Sequence, residues 1–505
     1  MPSAKRQNMK LNRAAWLIVI AGAHLGVPML QAQDTSTAEI IKQLQKRIEE
    51  LEQKVQVLES SKGNAQLQTN NPQSSQRIEE LDQKVKVLER KRELDKEAAT
   101  ENAKSLPTVS LGLNGLIIRS ADTNFLMNLH GYAQVDGRFY LNEHNPANDT
   151  FLLRRVRPII EGTVFDRFDY RLMADFGSGN VNNSSAGNNA LLDDAYVNAR
   201  LWPEVQAQVG KFKSPVGLER LQSTAELLFI ETGFATQLTP NYDLGVEIHN
   251  QLFNSPISYA IGVFNGAIDS GSSDADTTDE GKDVAGRLFF QPFLRTDYDA
   301  LNKLGFGIGG SVGHHEGPLP SYKTPGQQAF FSYASSVSAA GEQYRIDPQF
   351  FYYWGPFGVL GEYIISSQKV KSSSANGTAR FDDSAWQLEA TYFLTGDDNS
   401  FRSTSRNAFR PAHPFTFGEG GWGAFELVAR VGQLSLDRTA FPTYVTSGSA
   451  KEAASWGVGL NWYLNSNIRF YLDFESTHFD GGSKKTTALT ARDEQALLGR
   501  VQFSF

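Results

Sequence analysis

The sequence predicts an all-β transmembrane barrel of about sixteen antiparallel strands, preceded by an α-helical coiled-coil extension. Three observations predict it. Side chains alternate apolar and polar with period two over roughly the last 400 residues, broken by turn and loop residues. The chain is rich in aromatics and glycine yet has no greasy helix-length run beyond its N-terminus. Before the alternation begins, apolar residues recur at heptad spacing. The expected divisions are an export signal over 1–32, a coiled-coil segment over 33–106 and the barrel over 107–505.

Of 505 residues, 40% are hydrophobic, and Phe 33, Tyr 17, Trp 7 and Gly 44 contrast with Met 5. Mean hydropathy is -0.36, too polar for a bundle of membrane helices. A barrel with a lipid-facing apolar side and a polar lumen averages out in this way. The chain has no cysteine, which excludes disulfides, thiolate metal sites and thiol nucleophiles. A net charge of -8 argues against a nucleic-acid partner. No cofactor is expected.

The N-terminus reads as an export signal. Lys5, Arg6, Lys10 and Arg13 precede a short apolar stretch from Ala14 to Leu30, with Ala32 before the cleavage point. A membrane anchor is the alternative, but His24 and Pro28 interrupt the stretch, which is short against the ~20 residues of a span. Ile41, Leu44, Ile48, Leu51, Val55 and Leu58 then follow three-and-four spacing. The pattern returns at Ile78, Leu81, Val85 and Leu88, and Arg47-Ile48-Glu49-Glu50-Leu51 repeats as Arg77-Ile78-Glu79-Glu80-Leu81. Each block is short, so a stable coiled coil needs an oligomer held together elsewhere.

Beyond Pro107 the stripes are those of strands. Ile468, Phe470, Leu472 and Phe474 alternate with Arg469, Tyr471, Asp473 and Glu475. Trp456, Val458, Leu460 and Trp462 form a second stripe, Phe425, Leu427, Ala429 and Val431 a third, and Trp386, Leu388, Ala390 and Tyr392 a fourth. Polar stretches at 178–190, 269–282 and 371–379 read as loops. Gly305-Phe306-Gly307-Ile308-Gly309-Gly310 fits a dinucleotide fingerprint, and Gly309-Gly310-Ser311-Val312-Gly313 fits a nucleophile elbow. Both lie in an alternating run with no following helix, so neither supports an enzyme. His314 and His315 point to opposite faces of a strand and do not chelate one metal; a rim position is expected.

Four stretches together resemble the phosphate-selective porin O/P family. They are Leu153-Arg154-Arg155-Val156-Arg157-Pro158, Asp194-Ala195-Tyr196-Val197, Val209-Gly210-Lys211-Phe212-Lys213 and Pro215-Val216-Gly217-Leu218-Glu219-Arg220. Phe393-Leu394-Thr395-Gly396, Gly421-Trp422-Gly423-Ala424-Phe425-Glu426, Asn461-Trp462-Tyr463-Leu464 and terminal Phe505 extend the resemblance over 107–505. It implies a sixteen-stranded, trimeric outer-membrane porin with a loop folded into the lumen. It also implies basic residues that admit phosphate or other anions, and a leading coiled coil. By that resemblance Arg154 and Arg155 match a basic pair at the constriction, Arg220 matches a basic residue, and Asp193 or Asp194 matches an acid near the anion site. Tyr132 and Asp169 stand where such members carry cations. Both departures remove positive charge, so a general or weakly selective porin is an alternative. A structural tether between outer membrane and cell wall is another.

Alternation assigns the candidates. If Leu152, Val156, Ile160 and Val164 face lipid, Arg155, Arg157, Glu161 and Thr163 face the lumen, and Arg171 does so in the next strand. An arginine on the lipid face costs about 2–4 kcal/mol near mid-membrane. Arg154 falls on the outward phase and therefore needs a strand end, a bulge or a subunit interface. Lys211 and Lys213 share phase with Val205, Ala207 and Val209, so the strand is expected to end near Gly210. A constriction loop is expected over 214–243. Arg154, Arg155, Arg157, Arg171, Lys211, Lys213, Arg220 and Asp194 are the candidate anion-binding or pore-lining residues.

Overall fold

The computed structural model describes residues 53, 72–141, 148–177, 191–250, 255–275, 280–375, 377–402, 409–418, 420–481 and 493–505. The expected export signal, the first heptad block apart from Gln53 and the loop at 178–190 lie outside these residues. The chain forms two units, Met1–Thr100 and Glu101–Phe505. Helix α1 spans Pro72–Ser105 and leaves Leu81, Val85 and Leu88 exposed. Among the described residues no helix is long and apolar enough to cross a membrane.

The second unit opens with a hairpin, β1 (Thr108–Gly112) and β2 (Gly115–Arg119). Nine strands follow: β3 (Phe125–Tyr140), β4 (Thr150–Val164), β5 (Phe168–Asp175), β6 (Leu191–Trp202), β7 (Val205–Lys213), β8 (Tyr242–His249), β9 (Ile257–Phe264), β10 (Asp283–Phe290) and β11 (Leu304–Gly317). A small hairpin, β12 (Ser321–Lys323) and β13 (Ala329–Ser332), separates them from the last seven. These are β14 (Val337–Trp354), β15 (Phe357–Ser372), β16 (Gly377–Phe393), β17 (Ala424–Ser435), β18 (Glu452–Tyr463), β19 (Ile468–Asp480) and β20 (Glu494–Ser504). Among the described residues β3–β11 and β14–β20 make a closed sixteen-stranded antiparallel barrel. Closure is the β20–β3 ladder, from Ala496 opposite Tyr140 to Ser504 opposite Tyr132. A closed sheet has no unpaired edge, which the hydrocarbon of a bilayer demands.

The stripes behave as alternation requires. Trp456, Val458 and Leu460 are exposed outward, while Arg469, Tyr471, Asp473 and Glu475 are buried inward. Trp202, Trp354, Tyr392 and Phe503 are exposed at strand termini of one end, an aromatic girdle at one interface. The glycine-rich run lies in β11, opposite β10 and β14. A Cβ at Gly305 or Gly307 would meet the Phe289 ring at 2.4 or 2.2 Å. These glycines therefore make room for an aromatic that stacks on Phe351 at 4.9 Å. His314 is exposed, whereas His315 is buried, its Nε2 2.8 Å from Asp283 Oδ1. The His315–Asp283 pair sits at a strand end, two residues from the end of β11 and at the first residue of β10, with the His315 ring turned inward.

Two readings of phase need correction. The β3–β4 register slips between Gln134 and Val135, which pair with Arg155 and Leu153, so Arg154 is the extra residue of a β-bulge. Leu152 then pairs with buried Asp136 and lies on the inward phase; Phe151 and Leu153 are the lipid-facing residues. Strand β7 continues through Lys213 instead of ending at Gly210. Gly210 has φ +132°, and a Cβ there would lie 2.2 Å from the Ala195 carbonyl, so the strand bends there without breaking. Lys369, Lys371 and Arg380 sit on the outer faces of β15 and β16.

The interior is not a plain tube. Residues 214–241 fold inward between β7 and β8, close to the expected 214–243. Their Val216, Phe234, Ala235 and Leu238 pack with Tyr322, Phe330 and Phe331 of the β12–β13 region. Leu218, Leu228 and Phe229 pack on Phe289, Phe351, Tyr353 and Val428 of the wall. Apolar residues on the lumen side are thus seats for inward segments.

Candidate functional site

The inward loop is held by side chains that point into the lumen. A single turn, α2 (Leu218–Leu221), presents its first amides to the wall. Glu362 accepts from the amides of Leu218 (2.6 Å) and Glu219 (3.3 Å), and Asp347 accepts from Gly217 (2.9 Å). Further along, Asp473 accepts from the amide of Ile230 (2.7 Å), and Arg430 donates to the carbonyl of Glu231 (2.9 Å).

Those contacts deliver the Glu231 carboxylate to a group of arginines. Arg154 reaches it twice, at 2.5 and 3.1 Å, and Arg138 once at 2.7 Å. Arg155 and Arg500 stand 3.6 and 3.8 Å from it. Asp136 is the other carboxylate in the group, bound by Arg500 at 2.6 and 2.8 Å and by Arg138 at 3.4 Å. Four guanidinium groups therefore share two carboxylates. Nε and Nη1 of Arg138 and Nη1 of Arg500 have no hydrogen-bond partner among the described residues. Burial alone would raise the Glu231 carboxyl, but Arg154, Arg155 and Arg138 outweigh it and hold it well below the usual carboxylate range. Arg154 is the most exposed of the four arginines and is itself only partly buried.

A second group lies on the neighbouring strands. Arg157 binds Asp175 (2.8 Å) and Asp193 (2.7 Å), with Thr224 Oγ1 at 2.9 Å and Tyr132 Oη at 3.1 Å. Arg171 binds Glu161 (2.5 Å) and Asp194 (2.9 Å). Asp193 and Asp194 both face inward because the β5–β6 register slips between Met173 and Ala174. Tyr132 thus supplies a hydroxyl to an arginine, and Asp169 pairs with Arg200 at 3.2 Å.

Two of the remaining candidates, Arg220 and Lys213, serve the inward loop. Arg220 donates to Thr239 Oγ1 (3.0 Å) and to the Thr236 carbonyl (2.6 Å), closing the inward loop on itself. Lys213 donates to the Gln222 carbonyl (2.8 Å), and its amine lies 5.6 Å from the centre of the Tyr242 ring. Lys211 pairs with Asp274. The structure brings Arg154 and Arg155 together at one site, Arg157, Arg171 and Asp194 at the next, and leaves Lys211 outside both.

Sequence reasoning missed Arg138, Arg500, Glu231 and Asp136. Arg138 and Asp136 share a phase in β3 and Arg500 has the inward phase in β20, so alternation could have found those three. Nothing local marks Glu231, which meets them only through the loop.

In the connection between β16 and β17, Arg402 and Phe409 turn inward. Arg402, 3% exposed, binds Glu426 at 2.5 Å and the Tyr463 hydroxyl, and lies between the Phe393, Phe409 and Tyr463 rings. Its carbonyl accepts from Gln222 of the inward loop at 3.3 Å. Replacing Arg402 with Ala leaves Glu426 with Arg469 at 3.7 Å as its nearest cation. The expected cost is about 3 kcal/mol, read as a lower temperature for loss of the barrel's gel mobility, with larger single-channel conductance. Beside this connection a cavity of about 380 Å³ opens, lined by Asn128, His130, Glu226, Phe409, Arg410 and Arg469. Burial raises the Glu226 carboxyl there against the pull of Arg469 and Arg402. Among the described residues no acid and histidine cluster is arranged to hold a metal.

Residues 127–505 match the model of a family described as phosphate-selective porin O and P. No curated protein matches the chain. Solved structures that resemble it include the outer-membrane channel DcaP of Acinetobacter baumannii. That resemblance has 11% identity and a TM-score of 0.47, over 77% of this chain and 99% of that one. OmpT of Vibrio cholerae shows 10% identity and a TM-score of 0.47, over 76% and 98%. An anion-selective porin from Comamonas acidovorans shows 11% and 0.46, over 75% and 100%.

Proposed function

The chain belongs to the phosphate-selective porin O and P family of outer-membrane channels, and from that premise we propose that it passes small anions, phosphate among them, through a narrow lumen. The observation that carries this reading is the group around Glu231, where four arginines face two carboxylates and guanidinium donors are left over. Arginine stays protonated, and its planar fork matches two oxyanion oxygens at once. Lining charge and width select in a pore, not one reactive group. The inward loop narrows the lumen at the level of these arginines, which favours a selective over a general channel.

The acidic groups elsewhere support the alternative of weak selectivity. Arg157 and Arg171 each bind two carboxylates, so they offer a passing anion less than their charge suggests. We further propose a homotrimer, an export signal at 1–32 and a coiled coil over 33–106. The exposed stripe of Leu81, Val85 and Leu88 supports the coiled coil. The test is the reversal potential of the purified protein in a planar bilayer under a KCl gradient, followed by added phosphate. A potential near the chloride limit with block by phosphate is expected. A potential near zero or toward potassium would leave a general porin.

A further inference from the structure

Glu231 is an unusual thing to find at the centre of an anion site. It is 3% exposed, and its two oxygens face Arg138, Arg154, Arg155 and Arg500. These are the contacts a free carboxylate or phosphate would make on arrival. We infer that Glu231 is a tethered competitor, whose carboxylate holds the oxyanion position until a permeating anion displaces it. This rests on reading the arginine group as the anion site.

Two features make the role specific. The side chain does not hold the loop in place, because the backbone around it is pinned independently. Asp473 takes the Ile230 amide at 2.7 Å, Arg430 the Glu231 carbonyl at 2.9 Å, and Glu219 Oε2 the Gly233 amide at 2.9 Å. The carboxylate can therefore leave while the loop stays. Three of the four arginines also keep a partner without it, Arg138 through Asp136 at 3.4 Å. Arg500 has Asp136 at 2.6 and 2.8 Å, and Arg155 donates to Gln134 at 2.9 Å. A permeating oxyanion would take the place of the Glu231 carboxylate on a frame that three of the four arginines keep, with Arg154 passing from one to the other. Such an exchange lets the anion bind while the site never stands empty, which keeps binding weak enough for release. The ligand class is an oxyanion with two oxygens on one face, a carboxylate or a phosphate.

The experiment compares the full-length protein with Glu231→Gln and Glu231→Ala in planar bilayers, using phosphate and acetate as separate probes. Glu231→Gln is expected to move the reversal potential toward the chloride limit. It should also tighten phosphate block about tenfold, the effect of losing one competing charge-assisted hydrogen bond. In Glu231→Ala, acetate fills the vacated space and is expected to bring back wild-type selectivity, while wild type is indifferent to acetate at the same concentration. Unchanged block and potential in Glu231→Gln, in a wild type that prefers anions, would overturn the competitor role alone. A cation-preferring wild type whose Glu231→Gln variant is also cation-preferring would overturn the anion site itself. If Glu231→Gln fails to assemble, Glu231→Asp keeps the charge on a shorter arm, and a partial tightening supports the same role where none opposes it. Tightening by phosphate without rescue by acetate would mean that phosphate, and not a carboxylate, is the solute the site fits.

Discussion

Replacing Arg430 with Leu is expected to destabilise the barrel by about 3–5 kcal/mol, the usual cost of removing one partner from a buried ion pair. Arg430 comes from β17 and is 2% exposed. It stands 2.5 Å from Glu475, 3.2 Å from Glu389 and 3.6 Å from Glu219, with its guanidinium 4.3 Å from the centre of the Phe229 ring. A leucine would leave three buried carboxylates without this cation and would remove the donor to the Glu231 carbonyl. Glu219 and Phe229 belong to the inward loop, so the damage falls where the loop is seated. The measurement is the temperature at which the folded band disappears on an unboiled gel, together with single-channel conductance. A lower temperature and a larger, noisier conductance are expected; an unchanged pair would show that the loop is seated by its apolar contacts alone.

The double substitution Arg154→Ala and Arg155→Ala is expected to abolish most of the anion preference while leaving the barrel assembled. Both side chains serve Glu231, and neither supports Asp136, which keeps Arg500 and Arg138. The group would fall from four cations over two carboxylates to a balanced set. A charge-assisted hydrogen bond is worth about 1.5–3 kcal/mol, so phosphate block should weaken by about tenfold to a hundredfold. The reversal potential should move toward zero. Unaltered block would place the site at Arg157 and Arg171 instead.

Much of the barrel was legible because a strand between lipid and water must alternate. Tyr471, Asp473 and Glu475 face inward for the same reason that Trp456 and Leu460 face out. The site was legible only in part. Arg155 and Arg157 are plain from phase, whereas Arg154 needed the bulge that the sequence could offer only as one of three explanations. Glu231 was not legible, because its place depends on contacts with residues more than a hundred positions away, such as Asp473 and Arg430. Phe289, Phe351 and Val428 face inward, against the rule that the lumen is polar, because the loop covers them.

The bulge at Arg154 carries a consequence of its own. It is a phase shift of half a period written into β4. Before it, odd-numbered residues meet lipid at Phe151 and Leu153; after it, odd-numbered residues meet the lumen at Arg155, Arg157 and Glu161. A strand with no such shift would have to send one of two adjacent arginines into hydrocarbon. Doubling the charge at one height of a pore is therefore a matter of register as much as of composition. The same device recurs at Asp193 and Asp194. One inserted residue per strand is enough to turn a lining that alternates between the two sides into a local concentration of charge, and losing that residue would rotate the strand's first residues to the other face.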